Sequence, residues 1–137
     1  MRVLVCTDGS GQSIKAAEKA ARMVDSSDEV YIMQVYLNLS QFGMTTDSSV
    51  VSGDEIRKKR EEHLNEAASK FKDKGIEPKT ILKEGHPVEV ILEFAKKNNI
   101  DLIAMGSKGS SGLGNVFLGS VSNSILQKAD ADVILVK

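Results

Sequence analysis

Several things are scarce in this chain, and each scarcity excludes something. Cys6 is the single cysteine among 137 residues, so no internal disulfide can form, and a lone thiol suits a reducing compartment. Tryptophan is absent and aromatic residues make up only 4% of the chain, which leaves few rings to stack on a flavin. That weakens the partial likeness of Ser10-Gly11-Gln12-Ser13 to a flavin phosphate loop. The two histidines, His63 and His86, lie apart with no clustered cysteines, so there is no zinc-binding pattern. Charge is nearly balanced, and a net charge of −1 offers no broad attraction to nucleic acid or to an anionic membrane. No apolar run approaches the ~20 residues that a membrane-spanning helix needs. The opening Met-Arg-Val-Leu-Val-Cys is too short and too strand-like for a signal peptide. Together these absences point to the cytoplasm.

What the chain does have is a regular alternation. Apolar residues make up 41% and charged residues 27%, the balance of a soluble globular protein, and residues 1–137 are expected to form one domain with its own core. Five short apolar runs predict strands at Val3–Thr7, Val30–Tyr36, Lys79–Lys83, Leu102–Met105 and Val133–Val136. Four helical patterns separate them. Ile14, Ala17, Ala21 and Val24 recur at helical spacing. A charged helix is expected over Asp54–Lys74, with Ile56, Leu64, Ala67, Ala68 and Phe71 on its apolar face and Gly75 closing it. Pro87 opens a third helix, where its missing N–H does no harm, with Val88, Ile91, Leu92 and Ala95 as its buried stripe. Ser120 is expected to cap the fourth, with Val121, Ile125 and Ala129 facing inward. Residues 38–53, small and polar, are long for a connection, so they are read as a lid or as disordered. Strict strand–helix alternation predicts an α/β fold, a doubly wound parallel sheet with helices on both faces.

The chemistry concentrates in two turns. The first follows the first strand, Thr7-Asp8-Gly9-Ser10. The second follows the fourth strand and carries Gly106, Gly109, Gly112 and Gly114, with Lys108 almost its only charge. A strand, a glycine-rich turn and a helix start together make a phosphate cradle: glycine lets backbone N–H groups face a ligand closely, and the helix N-terminus adds free N–H groups and a positive dipole end. The plainer reading is an ordinary glycine–serine loop. Named motifs do not fit. A P-loop needs Ser or Thr after its lysine, but Gly109 follows Lys108; a dinucleotide fingerprint beginning at Gly112 needs a glycine where Phe117 stands. What fits is Gly106-x-x-Gly109, nine residues, then Gly119-Ser120.

With Thr7-Asp8-Gly9-Ser10, this spacing resembles the universal stress protein family in its ATP-binding class, and the likeness runs from Val3 to Val136. It implies a strand order of 3-2-1-4-5, which sets both turns at one crevice. By position, Gly106, Ser107, Lys108, Gly109, Gly119, Ser120, Val121 and Ser122 match the family's triphosphate and ribose contacts, and Val35 its adenine contact. Asp8 would bind ribose or help place a magnesium ion; alternatively it simply starts a turn. Val35 is equally a core residue, and Lys108 equally a solvated lysine. Cys6, Thr7 and Met105 would line the same crevice. The family often has Pro where Cys6 stands, and a reactive role for that thiol finds no basic neighbour in sequence to support it. Arg57-Lys-Lys-Arg60 is followed at once by Glu61 and Glu62, so it is read as a solvated helix face, with His63 on the same helix.

Three function classes follow. The leading one is an ATP-binding regulatory, stress-response protein in which nucleotide alters the surface shown to a protein partner. The second is a slow ATPase or phosphotransferase, for which the sequence shows no evident general base. The third is a nucleotide-free interaction module. A homodimer through the apolar edge strand 133–136 is also expected, both from the edge itself and from the resemblance.

Overall fold

The computed structural model describes residues 1–37, 53–108 and 119–137. The expected lid at 38–53 and Gly109 therefore lie outside the described residues, except for Gly53, which opens a helix. The element order is β1 (Arg2–Cys6), α1 (Gly11–Met23), β2 (Glu29–Tyr36), α2 (Gly53–Ser69), β3 (Lys79–Glu84), α3 (Pro87–Lys97), β4 (Leu102–Gly106), α4 (Ser120–Lys128) and β5 (Asp132–Val136). All strands are parallel, in the order β3-β2-β1-β4-β5.

The period of two along each strand sorts side chains between two cores. From β1, Val3 and Val5 pack with the alanines of α1 and with Leu64, Ala67 and Phe71 of the α2 region; Leu4 and Cys6 pack on the other side with Ile91 of α3 and Ile125 of α4. Helices thus cover both faces, as a parallel sheet requires. The face of α1 toward the sheet is Ala16, Ala17, Ala20 and Ala21, small enough to bring the helix axis close. Ser10 caps it by accepting from the Ser13 N–H at 3.2 Å.

Three sequence expectations need correction. The second helix does not run intact to Lys74. Its α-geometry ends at Ser69, and Lys72–Lys74 tighten into a 3₁₀ turn as Phe71 is drawn fully into the core, closed by Gly75 in the left-handed conformation. Ile56 is not on the buried face. It is 39% exposed, because residues 53–59 are all exposed and only the later turns of α2 reach the core. Gly119, not Ser120, is the N-cap of α4. Its backbone is extended and its carbonyl accepts from Asn123 N–H at 3.0 Å, so Ser120 is already the first helical residue. Among the described residues no helix is long and apolar enough to cross a membrane.

Candidate functional site

The polypeptide leaves β1 toward α1 on one face of the sheet and leaves β4 toward α4 on the other. Because β1 and β4 are neighbours, their carboxyl ends open a crevice where the winding reverses. A cleft of about 250 Å³ lies there. One part is apolar, formed by Cys6, Met33, Val35, Met105, Ile91 and Val121, with Pro87 at the start of α3. The other part is polar, formed by Thr7, Asp8, Ser13, Lys108, Ser120 and Ser122, with the backbone of Gly106 and Gly119. The sequence assigned Cys6, Thr7, Asp8, Val35, Met105, Gly106, Lys108, Gly119, Ser120, Val121 and Ser122 to a site, and the structure brings them together. Ser107 is not in the cleft lining. Its side chain is buried and faces Gln12, with Oγ 3.5 Å from Oε1.

The first turn is built by its own hydroxyls. Thr7 N–H donates to the Met33 carbonyl at 2.9 Å, tying the end of β1 to β2. Ser13 Oγ donates to the Ser10 carbonyl at 2.8 Å, so in its 2.9 Å contact with Thr7 Oγ1 the threonine supplies the proton. Thr7 Oγ1 also accepts from Gly9 N–H at 3.2 Å, and Asp8 Oδ1 accepts from Ser10 N–H at 2.9 Å. The carboxylate of Asp8 is thus shaped as an Asx-turn and still lines the cleft.

The second turn is braced from three sides. Ser107 N–H donates to the Val136 carbonyl at 2.8 Å, Gly119 N–H to the Ser107 carbonyl at 2.7 Å, and Ser122 Oγ to the Gly106 carbonyl at 2.8 Å. Lys108 N–H donates to Gln12 Oε1 at 2.9 Å. The N–H groups of Lys108 and Gly119 are therefore committed. Among the described residues, the backbone donors left for an anion are the first-turn amides of α4, at Ser120, Val121 and Ser122, which have no intrahelical acceptor.

Burial pushes the Cys6 thiol up to about 12, so the sulfur packs as a neutral, apolar group. Among the described residues Asp8 is the single carboxylate in the lining, and no group of three or more His, Cys, Asp or Glu side chains could hold a metal ion.

Sequence reasoning missed Met33, Ile91, Pro87, Ser13 and the brace from Gln12. Met33 was within reach: it lies two residues before Val35 on one face of β2 and pairs with Cys6 in register. His63, set aside on a solvated helix face, packs against Gly9. Within that basic stretch Arg57 is paired to Glu61 at 3.4 Å with both side chains exposed, but Arg60 departs from the solvated reading: it is half-buried, with its guanidinium 4.1 Å over the Tyr36 ring.

Comparison with known proteins agrees with this fold. Residues 1–137 match the universal stress protein family. The universal stress protein MJ0531 of Methanocaldococcus jannaschii is 34% identical over 139 residues, covering 99% of this chain and 81% of that protein. Among solved structures, the hypothetical protein MJ0577, from the same organism, superposes with a TM-score of 0.77 at 25% identity, covering 99% of this chain and 94% of that one. A universal stress protein solved in complex with cAMP superposes with a TM-score of 0.74 at 25% identity, covering 99% and 95%.

Proposed function

The chain belongs to the universal stress protein family, and we propose that it is a member that binds an adenine nucleotide, ATP in the cell, in the cleft between β1 and β4. The observation that carries this reading is the two-part lining. An apolar slot of Cys6, Met33, Val35, Met105 and Ile91 suits a purine ring, and it adjoins the free first-turn amides of α4, which suit phosphate. Asp8 stands where it can accept from a ribose hydroxyl or hold one position of a magnesium ion brought by the phosphates, and Lys108 adds a single positive charge. The structural relative that carries cAMP supports the adenine part of the reading.

Occupancy of the cleft changes the surface offered to a protein partner, and this is the regulatory, stress-linked role we assign to the cytoplasmic protein. Slow ATP hydrolysis or phosphoryl transfer is the competing function. The described cleft holds no histidine and one carboxylate to position a water, so binding without turnover is favoured. Calorimetry with ATP, AMP, cAMP and inorganic phosphate, each with and without magnesium, tests the reading. ATP at 100 times its dissociation constant should add about 2.7 kcal/mol to stability. No melting shift at millimolar ATP removes the proposal, and phosphate release faster than about one per second moves the protein to the enzyme class.

A further inference from the structure

Gly9 has φ +82°, a backbone conformation that L side chains rarely adopt. It is crowded as well. A Cβ built on Gly9 would lie 2.4 Å from Cε1, 2.5 Å from Nδ1 and 2.5 Å from Nε2 of His63. Three nearly equal distances place that point over the flat face of the imidazole rather than at its rim. The ring of His63, on α2, therefore lies flat against the α-carbon of Gly9.

Two further facts give this contact meaning. The hydrogen bonds donated by Gly9 and Ser10 N–H, to Thr7 Oγ1 and Asp8 Oδ1, close within the turn. They set its shape; Ser10 also ties the turn to α1, its Oγ and carbonyl accepting from Ser13 and its carbonyl from Ile14 N–H, while the Gly9 side is backed by His63. His63, for its part, is not oriented by a hydrogen bond at Nδ1, which is buried without a partner among the described residues. Its position comes from α2, whose next residue, Leu64, is 4% exposed in the core. An anchored helix thus holds a flat ring against the outer side of the turn whose inner side presents Asp8 to the cleft.

We infer that His63 is a positioning residue for nucleotide binding: it backs the Thr7–Ser10 turn at Gly9 and so keeps Asp8 in place in the cleft. The inference rests on the nucleotide reading above. Removing the ring opens space behind Gly9, lets the turn relax toward α2 and withdraws Asp8 from the ligand. Only the flat face is needed. Phenylalanine offers the same face without an unpaired buried nitrogen, so it should substitute for histidine, and alanine should not.

The test combines a spectroscopic and a binding readout. In the parent, the Gly9 α-proton over the ring should be shifted upfield in proton NMR. His63→Ala should abolish that shift and weaken ATP binding about tenfold, within the range seen for residues that act on a ligand through others. His63→Phe should keep the upfield shift and bind ATP within about threefold of the parent, a difference well under one tenfold step in affinity. An unshifted Gly9 proton in the parent overturns the inference, as does ATP binding by His63→Ala equal to the parent's, or His63→Phe as weak as His63→Ala. A parent that binds no nucleotide overturns the functional reading and this inference with it. A parent that binds while His63→Ala binds equally well overturns this inference alone.

Discussion

Gly106 opens the glycine-rich segment and was expected to leave room for phosphate, yet what crowds it is α1. A Cβ there would lie 3.0 Å from Gln12 Cβ and 3.3 Å from both Gln12 C and Ser13 N. The glycine lets the start of α1 settle on the end of β4, and that contact brings Gln12 Oε1 to the Lys108 N–H. Gly106→Ala should therefore lower folding stability by about 1–3 kcal/mol, the usual cost of overpacking, measured by denaturant unfolding. Gly119→Val acts differently. Gly119 has φ −66°, so valine brings no left-handed strain but sets a branched side chain in the cleft. We expect a folded protein with weakened ATP binding, and Asp8→Ala should weaken it too; if both bind ATP like the parent, the site assignment is wrong. Cys6 gives a third residue-scale prediction. With its thiol raised to about 12 by burial, alkylation at pH 8 should be far slower than in denaturant, since the thiolate is the reactive form. Rapid labelling of the native protein would contradict the burial of Cys6.

Between elements, one local device is the tie from α4 to β4. Ser122 is 3% exposed, and its hydroxyl closes on the Gly106 carbonyl. Ser122→Ala removes that donor and leaves a carbonyl unsatisfied, at a cost of about 1–3 kcal/mol, read as a lower urea midpoint. Among the described residues the α4 amides are the free backbone donors at the cleft, so on the proposed reading ATP affinity should fall with it; an unchanged midpoint would mean that water replaces the tie. This tie also marks what the sequence could reveal. The strands, the helices and the two loops were legible because short apolar runs alternate with helical spacing, and because glycine and serine cluster after β1 and β4; the strand order came from the family resemblance. The hydroxyls and glycines just after β1 and β4 were legible because Gly and Ser cluster there; Ser13, inside α1, was not. Met33, Ile91 and Pro87 were not, since an apolar residue that touches a ligand has the same pattern as one that touches the core. The contact of His63 with Gly9 leaves no local trace at all: it joins two distant segments through the packing of α2, and a histidine among Arg60, Glu61 and Glu62 is indistinguishable in sequence from a solvated one.

At the scale of the whole molecule, the edge at β5 remains. Asp132–Val136 is half-buried apart from Asp132, and among the described residues no strand pairs with its outer side. We propose that two copies pair this strand antiparallel about a two-fold axis, each satisfying the other's backbone. The register of β5 decides how to test this. Asp132 N–H donates inward to Asp101, and the Val136 carbonyl accepts from Ser107 of the neighbouring connection. Backbone groups of successive residues in a strand alternate in direction, so Asp132, Ile134 and Val136 direct theirs toward β4, and Val133 and Leu135 direct theirs outward. Proline at Ile134 would therefore break the β4–β5 ladder itself and confuse unfolding with dissociation. Proline at Leu135 removes an outward donor and leaves the inward ladder intact, as edge strands tolerate. Leu135 also packs against the core shared by α3 and α4, so Leu135→Ala is the control for the lost side chain. Light scattering at tens of micromolar should find a dimeric parent, a dimeric Leu135→Ala and a monomeric Leu135→Pro. A parent that runs as a monomer would sink the proposal, and a Leu135→Pro protein that stays dimeric would move the interface off this strand.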